Sequence, residues 1–134
     1  MTVTEPSTRF LAQAPHGFSN VVEVSGGRLV FITGQMALDA AGSLVGPGDF
    51  EAQFEQAFRN IESQLAVVGA TFDNVVKISV LAEEGFVESA HKFGEVRDRF
   101  VNTTNPPASA IVLTPRLVHP GALVDISAIA HLTE

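Results

Sequence analysis

The sequence predicts an α+β domain in which two helices cover one face of a β-sheet. Three observations lead there. The pattern types run ββ, α, β, α, ββ along the chain instead of alternating strictly; each helical segment carries a single apolar stripe; and the last strand is apolar on both faces. At 134 residues the chain fits one domain, 1–134, large enough to bury about two thirds of its unfolded surface.

Taken in order, residues 1–15 are polar, with Pro6 and Pro15, and are expected to form an arm ahead of the domain. From Asn20 the text becomes "NVVEVSGGRLVFITGQ", two β-rich runs separated by Ser25, Gly26 and Gly27, which reads as a hairpin. "MALDAAGSLVGPGDF" is loop-like, punctuated by Gly42, Gly46, Pro47 and Gly48, and Asp49 offers a helix N-cap. Phe50, Phe54, Ala57, Phe58, Ile61, Leu65 and Val68 then recur at steps of three and four, one helical face that Gly69 terminates.

"NVVKISVLA" from Asn74 sets Val76, Ile78 and Val80 against Lys77 and Ser79, a strand with one buried face. Phe86, Ala90, Phe93, Val96 and Phe100 form the stripe of a second helix, ended by "NTTNPP". Two strands close the chain, "ASAIVL" and "ALVDISAIAHL", joined by "TPRLVHPG". In the last, Val124, Ile126, Ala128 and Ala130 face one way and Leu123, Asp125, Ser127 and Ile129 the other. Two helices cover one face only, so the second points to packing between subunits.

Composition narrows the function classes. The net charge of −7, from 15 acidic and 8 basic residues, and the lack of Trp and Tyr argue against nucleic acid as a partner. Hydrophobic residues make up 46% and charged ones 17%, more apolar surface than a small domain readily hides, which suggests an oligomer. Without cysteine there is no disulfide, thiolate nucleophile or zinc ribbon. No window has the ~18 to 20 apolar residues of a membrane span, and "MTVTEPSTRF" lacks the blocks of a signal peptide. A cytoplasmic protein without a membrane partner is expected.

Few residues invite chemistry. His16, His91, His119 and His131 are isolated in sequence and give no metal-ligand spacing, and His91 reads as solvated. Glu62, Glu83 and Glu84 read as solvated carboxylates. Asp125 differs because it interrupts an apolar strand. It must be hydrogen-bonded, paired or reachable by water, and desolvation raises its pKa. It fits a general base or water-orienting group, or an interface acid paired with Arg or Lys. Arg116, after Pro115, is a surface residue, an ion-pair partner or an anion-binding group. Arg97, beside the Val96 and Phe100 stripe, reads as a snorkelling or salt-bridged helix residue. "TGQ", Thr33 to Gln35, ends a strand with a glycine that either admits a ligand to the backbone or simply terminates the strand.

"HGFSNVVEVSGGRLVFITGQMALDAAGSLV", "FEAQFEQAFRNIESQLAVVGATFDNVVKISVL", "PPASAIVLTPRL" and "GALVDISAIA" together resemble the RidA family, also called YjgF, in order across residues 15–131. The resemblance implies a chorismate-mutase-like subunit with a mixed sheet and two helices on one face. It further implies a homotrimer around a central barrel, with small-molecule clefts between subunits. Active members hydrolyse imines or enamines such as 2-aminoacrylate to 2-oxo acids and ammonia, and need no cofactor. In them an arginine of a Pro-Ala-Arg-Ser/Thr segment holds the substrate carboxylate, an N-terminal Tyr contributes, and a last-strand glutamate positions water.

Carried onto this chain, Pro107 and Ala108 match the segment and Ser109 takes the arginine position. The family's "GPYSQA" reads "HGFSNV", so Phe18 takes the Tyr position; Asp125 takes the glutamate position; Gly34, Gln35 and Arg116 are retained. The resemblance thus assigns catalysis to Asp125 and Ser109, and substrate binding to Phe18, Gly34, Gln35, Ser109 and Arg116. A guanidinium fork contributes about 1.5–3 kcal/mol per charge-assisted bond, whereas serine offers one neutral donor. Two functions are compatible with these residues. One is a hydrolase whose substrate lacks a carboxylate or binds it through another group. The other is a non-catalytic trimer that binds a metabolite as sensor or accessory protein.

Overall fold

A computed structural model describes residues 5–134. The Asp49 carboxylate accepts a hydrogen bond from the Ala52 N–H at 3.1 Å and so starts helix α1, Phe50–Val67. Gly69, at φ 73°, takes the left-handed turn that ends it. The stripe predicted for α1 is the core-facing one as far as Leu65, with Phe54, Phe58, Ile61 and Leu65 fully buried, whereas Val68 is the C-cap and is exposed. Helix α2 spans Ala90–Phe100, and Phe86 belongs to a short 3₁₀ segment, Glu84–Ser89, just before it. Phe86 still joins the core, edge-on to Phe54 at 5.8 Å between ring centroids, while Phe93 meets Phe54 at 5.2 Å and 88°.

The helices pack on a four-stranded mixed sheet. Its strands are β3 (Arg28–Met36), β4 (Val75–Glu83), β5 (Ala108–Thr114) and β6 (Val124–Leu132), in the order β3-β6-β4-β5. β6 is antiparallel to both its neighbours, and β4 and β5 are parallel, joined through α2 as a parallel pair requires. Ile78, Val80 and Ala82 of β4 and Val124, Ile126, Ala128 and Ala130 of β6 are buried on the helix side. On the other side lie Asp125, Leu81 and Val112, which are register neighbours, and Phe31 opposite Ile129. Leu29, Phe31, Leu81 and Val112 are exposed there, Phe31 by 71%.

Two expectations are corrected. The segment expected to be an arm over residues 1–15 contains a strand, β1 (Ser7–Gln13), antiparallel to β2 (Ser19–Ser25); residues 1–4 lie outside the described residues. Polar residues hold it in place. Arg9 donates to Glu23 at 2.8 Å, and the Thr8 hydroxyl meets His131 Nδ1 at 2.7 Å. The expected hairpin over "NVVEVSGGRLVFITGQ" is not formed either, since β2 pairs with β1 and β3 with β6. Gly26 and Gly27, at φ 58° and 67°, do make the turn. It is fastened to the end of β6, with the Gly26 carbonyl accepting from His131 Nε2 at 2.7 Å. Long-range partners outcompeted the local pairing.

Candidate active site

The prolines before β5 build the first part of the site. Pro106 and Pro107 are buried, and their carbonyls accept from Ser19, the hydroxyl reaching Pro106 at 2.6 Å and the N–H reaching Pro107 at 3.1 Å. This pair of hydrogen bonds locks the start of β2 to the start of β5. It sets Phe18 beside Ser109, 91 residues apart in sequence, on the wall of a cavity of about 320 Å³. His16, Ala110, Ile111 and Arg97 complete the wall.

Arg97 comes from the last turn of α2 and is mostly covered, its side chain 16% exposed. Nε donates to the Asp98 carboxylate at 3.0 Å, and Nη2 lies over the backbone of Gly17. A Cβ at position 17 would sit 2.5 Å from Nη2, and Gly17 itself has φ 83°. Neither Nη1 nor Nη2 donates to a protein acceptor among the described residues. In the sequence Arg97 reads as a snorkelling or salt-bridged helix residue. The salt bridge exists, and the structure adds a place in the cleft. His16 was likewise missed, because an isolated histidine before a glycine carries no spacing signal.

The second part centres on Asp125. Its β6 neighbours point Val124 and Ile126 into the core, so alternation directs Asp125 to the face away from the helices. There it packs on the backbone of Gly34, where any Cβ would overlap Oδ1. Oδ1 is buried and finds no hydrogen-bond partner, and no ion pair engages the carboxylate among the described residues. Burial raises its pKa above the ordinary carboxylate value. Gly34 and Gln35 line a cavity of about 360 Å³ together with Asp39, Asn60 and Gln64.

Gln53 fixes the approach to Asp125. It is fully buried; Nε2 donates to the carbonyls of Gly46 and Gly121, both at 3.1 Å, and Oε1 accepts from the Leu123 N–H at 2.8 Å. The chain therefore enters β6 in a fixed register two residues before the carboxylate.

Within one chain the expected site residues fall into three places. Phe18 and Ser109 share one cleft, Gly34 and Gln35 line another whose Gly34 backbone Asp125 packs against without lining the cavity, and Arg116 lies with Leu117, Val118 and Pro120 on a third concavity. No group of three or more His, Asp or Glu able to hold a metal is found among the described residues. No described helix is long and apolar enough to cross a membrane.

Residues 9–132 match the family model described as Endoribonuclease L-PSP. Protein DfrA of Myxococcus xanthus is 34% identical over 88% of this chain and 89% of its own length. The 2-iminobutanoate/2-iminopropanoate deaminase of Mus musculus is 30% identical over 84% of this chain and 79% of its own. Among solved structures, the Rid-family protein YyfB from Yersinia pestis, itself of unknown function, superposes with a TM-score of 0.75 at 30% identity, covering 98% of both chains. RidA from an Antarctic Psychrobacter gives 0.71 at 26% identity, over 96% of this chain and 99% of that one.

Proposed function

The chain belongs to the RidA/YjgF family, and from that premise we propose that it is a hydrolase of small reactive imines or enamines, acting in clefts completed between subunits. The observation that carries the reading is Asp125: a carboxylate with a buried, unpartnered oxygen and a raised pKa, held against Gly34. The large majority of buried polar side-chain atoms in folded proteins have a hydrogen-bond partner. A carboxylate left with spare acceptor capacity fits a group that takes a proton from water.

The reaction is redox-neutral and needs only water. An enamine first tautomerises to its imine, the carbon gaining a proton from solvent as the nitrogen gives one up. The imine nitrogen takes a proton from solvent, and Asp125 accepts a proton from water as the oxygen bonds to the imine carbon. Asp125 then returns that proton to the nitrogen of the carbinolamine, which expels ammonia as the C–N bond breaks, the hydroxyl releasing its proton to solvent as the C=O bond forms. Ser109 donates a hydrogen bond to the substrate and Phe18 packs on its apolar part.

Two features support assembly into a trimer. Leu29, Phe31, Leu81 and Val112 leave apolar surface exposed on the sheet face opposite the helices, which copies of the chain would cover. The separation of Asp125 from the Phe18 and Ser109 cleft within one chain is resolved if a neighbour's Asp125 completes each cleft. Ammonia release from freshly generated imines tests the activity, and light scattering tests the trimer. Ligand-dependent thermal stabilisation without turnover would favour a metabolite-binding protein instead.

A further inference from the structure

The cleft walled by Phe18 and Ser109 contains a cation that does not come from the strand. We propose that Arg97 is the anion-holding residue of this cleft and takes the carboxylate of a small imino or enamino acid on its Nη1–Nη2 edge. The inference rests on the hydrolase reading above and names the substrate class of that site.

Four observations converge on it. Arg97 lies in the cavity wall with Phe18 and Ser109, and none of the lining residues is acidic. Its guanidinium is only 16% exposed, so a charge-assisted bond made there is less screened by water than one on the open surface. The bond from Nε to Asp98 at 3.0 Å occupies one edge of the fork and orients the rest, leaving the Nη1–Nη2 edge without a protein acceptor among the described residues. A carboxylate accepts two parallel N–H bonds from such an edge. Finally, Gly17 has no side chain where a Cβ would meet Nη2 at 2.5 Å, so the guanidinium has a seat made for it by absence. The open volume, about 320 Å³, suits a molecule of a few carbon atoms beside the Phe18 ring.

Asp98 acts as a positioning residue. Ser109 supplies a neutral donor in the lining of the same cavity, and the two together replace a single strand-borne guanidinium with a helix-borne one. An arginine placed at 109 would put a second cation into the same small space.

The test is calorimetric titration of the full chain with 2-oxobutanoate and with its neutral amide, for the wild type, Arg97→Gln, Arg97→Lys and the double variant Arg97→Gln with Ser109→Arg. Thermal melting of each protein confirms that it is folded. The expected result is that the wild type prefers the acid and that Arg97→Gln weakens the acid by about tenfold or more while leaving the amide unchanged. Arg97→Lys should keep part of the preference, and the double variant should recover it. Equal binding of the acid by wild type and Arg97→Gln, no preference for acid over amide, or no binding of either would overturn the assignment. Ammonia release from imines, measured in parallel, separates the two readings. Turnover that ignores Arg97→Gln sinks the assignment alone, whereas acid binding that needs Arg97 without turnover sinks the hydrolase alone.

Discussion

The Asp125 carboxylate rests directly on the backbone of Gly34, so close that a methyl group at position 34 would overlap Oδ1. Gly34 has no left-handed backbone, so alanine there is conformationally acceptable and the collision alone decides the outcome. Gly34→Ala is expected to displace the carboxylate and lower imine hydrolysis by about 100-fold, the scale of a 1 Å misplacement. Steady-state kinetics beside a melting curve check this. A rate unchanged in a folded variant would show that the Asp125 position is irrelevant to turnover.

Asp125→Asn should abolish turnover, and its stability profile has a definite sign. Burial raises the folded-state pKa, so between the unfolded value, near 3.8, and the folded one, the native state binds more protons than the unfolded chain. The wild type therefore loses stability as pH rises through that window and stays at the lower level above it. Asn cannot ionise and loses nothing, so the variant gains on the wild type as pH rises. Denaturant titrations at pH 3 and pH 7 are expected to show the difference in favour of Asn growing with pH. A difference that shrinks instead would mean that Asp125 is stabilised as an anion.

In the proposed reaction the same raised pKa governs the rate. Asp125 must be ionised to accept a proton from water, so the acid limb of the pH–rate profile should lie above the ordinary carboxylate range and vanish in any residual activity of Asp125→Asn. An acid limb unchanged in that variant would assign it to another group.

Much of this structure was legible in the residues because local signals and tertiary packing agreed. Asp49 caps α1, Gly69 ends it, and the alternation in β4 and β6 put Ile78, Val80, Val124 and Ile126 on the helix side. β1 was not legible. Its residues Ser7, Thr8, Arg9 and Gln13 look like an arm until Glu23 and His131 provide partners. The β2–β3 pairing failed for the related reason that Gly26 is held by His131, 105 residues away. Asp125 stood out as a charge in an apolar strand, which sequence displays directly. Arg97 did not, because its relation to Phe18 and Ser109 exists only once α2 packs beside the β2 and β5 mouths.

Gln53→Leu should destabilise the fold by about 2 kcal/mol, since it strands backbone groups at Gly46, Gly121 and Leu123 that now share one amide. It should also lower activity through the β6 lead-in. A melting temperature within experimental error of the wild type would mean that water or relaxation satisfies those groups.

Hydrolysis by Asp125 is tested most directly by ammonia release from imines generated in place by an amino-acid oxidase, comparing wild type, Asp125→Asn and no protein. The wild type is expected to accelerate release well above the buffer rate and Asp125→Asn to return it to background. No acceleration by the folded wild type, with an active deaminase of the family working in the same assay, would contradict a hydrolytic role for Asp125.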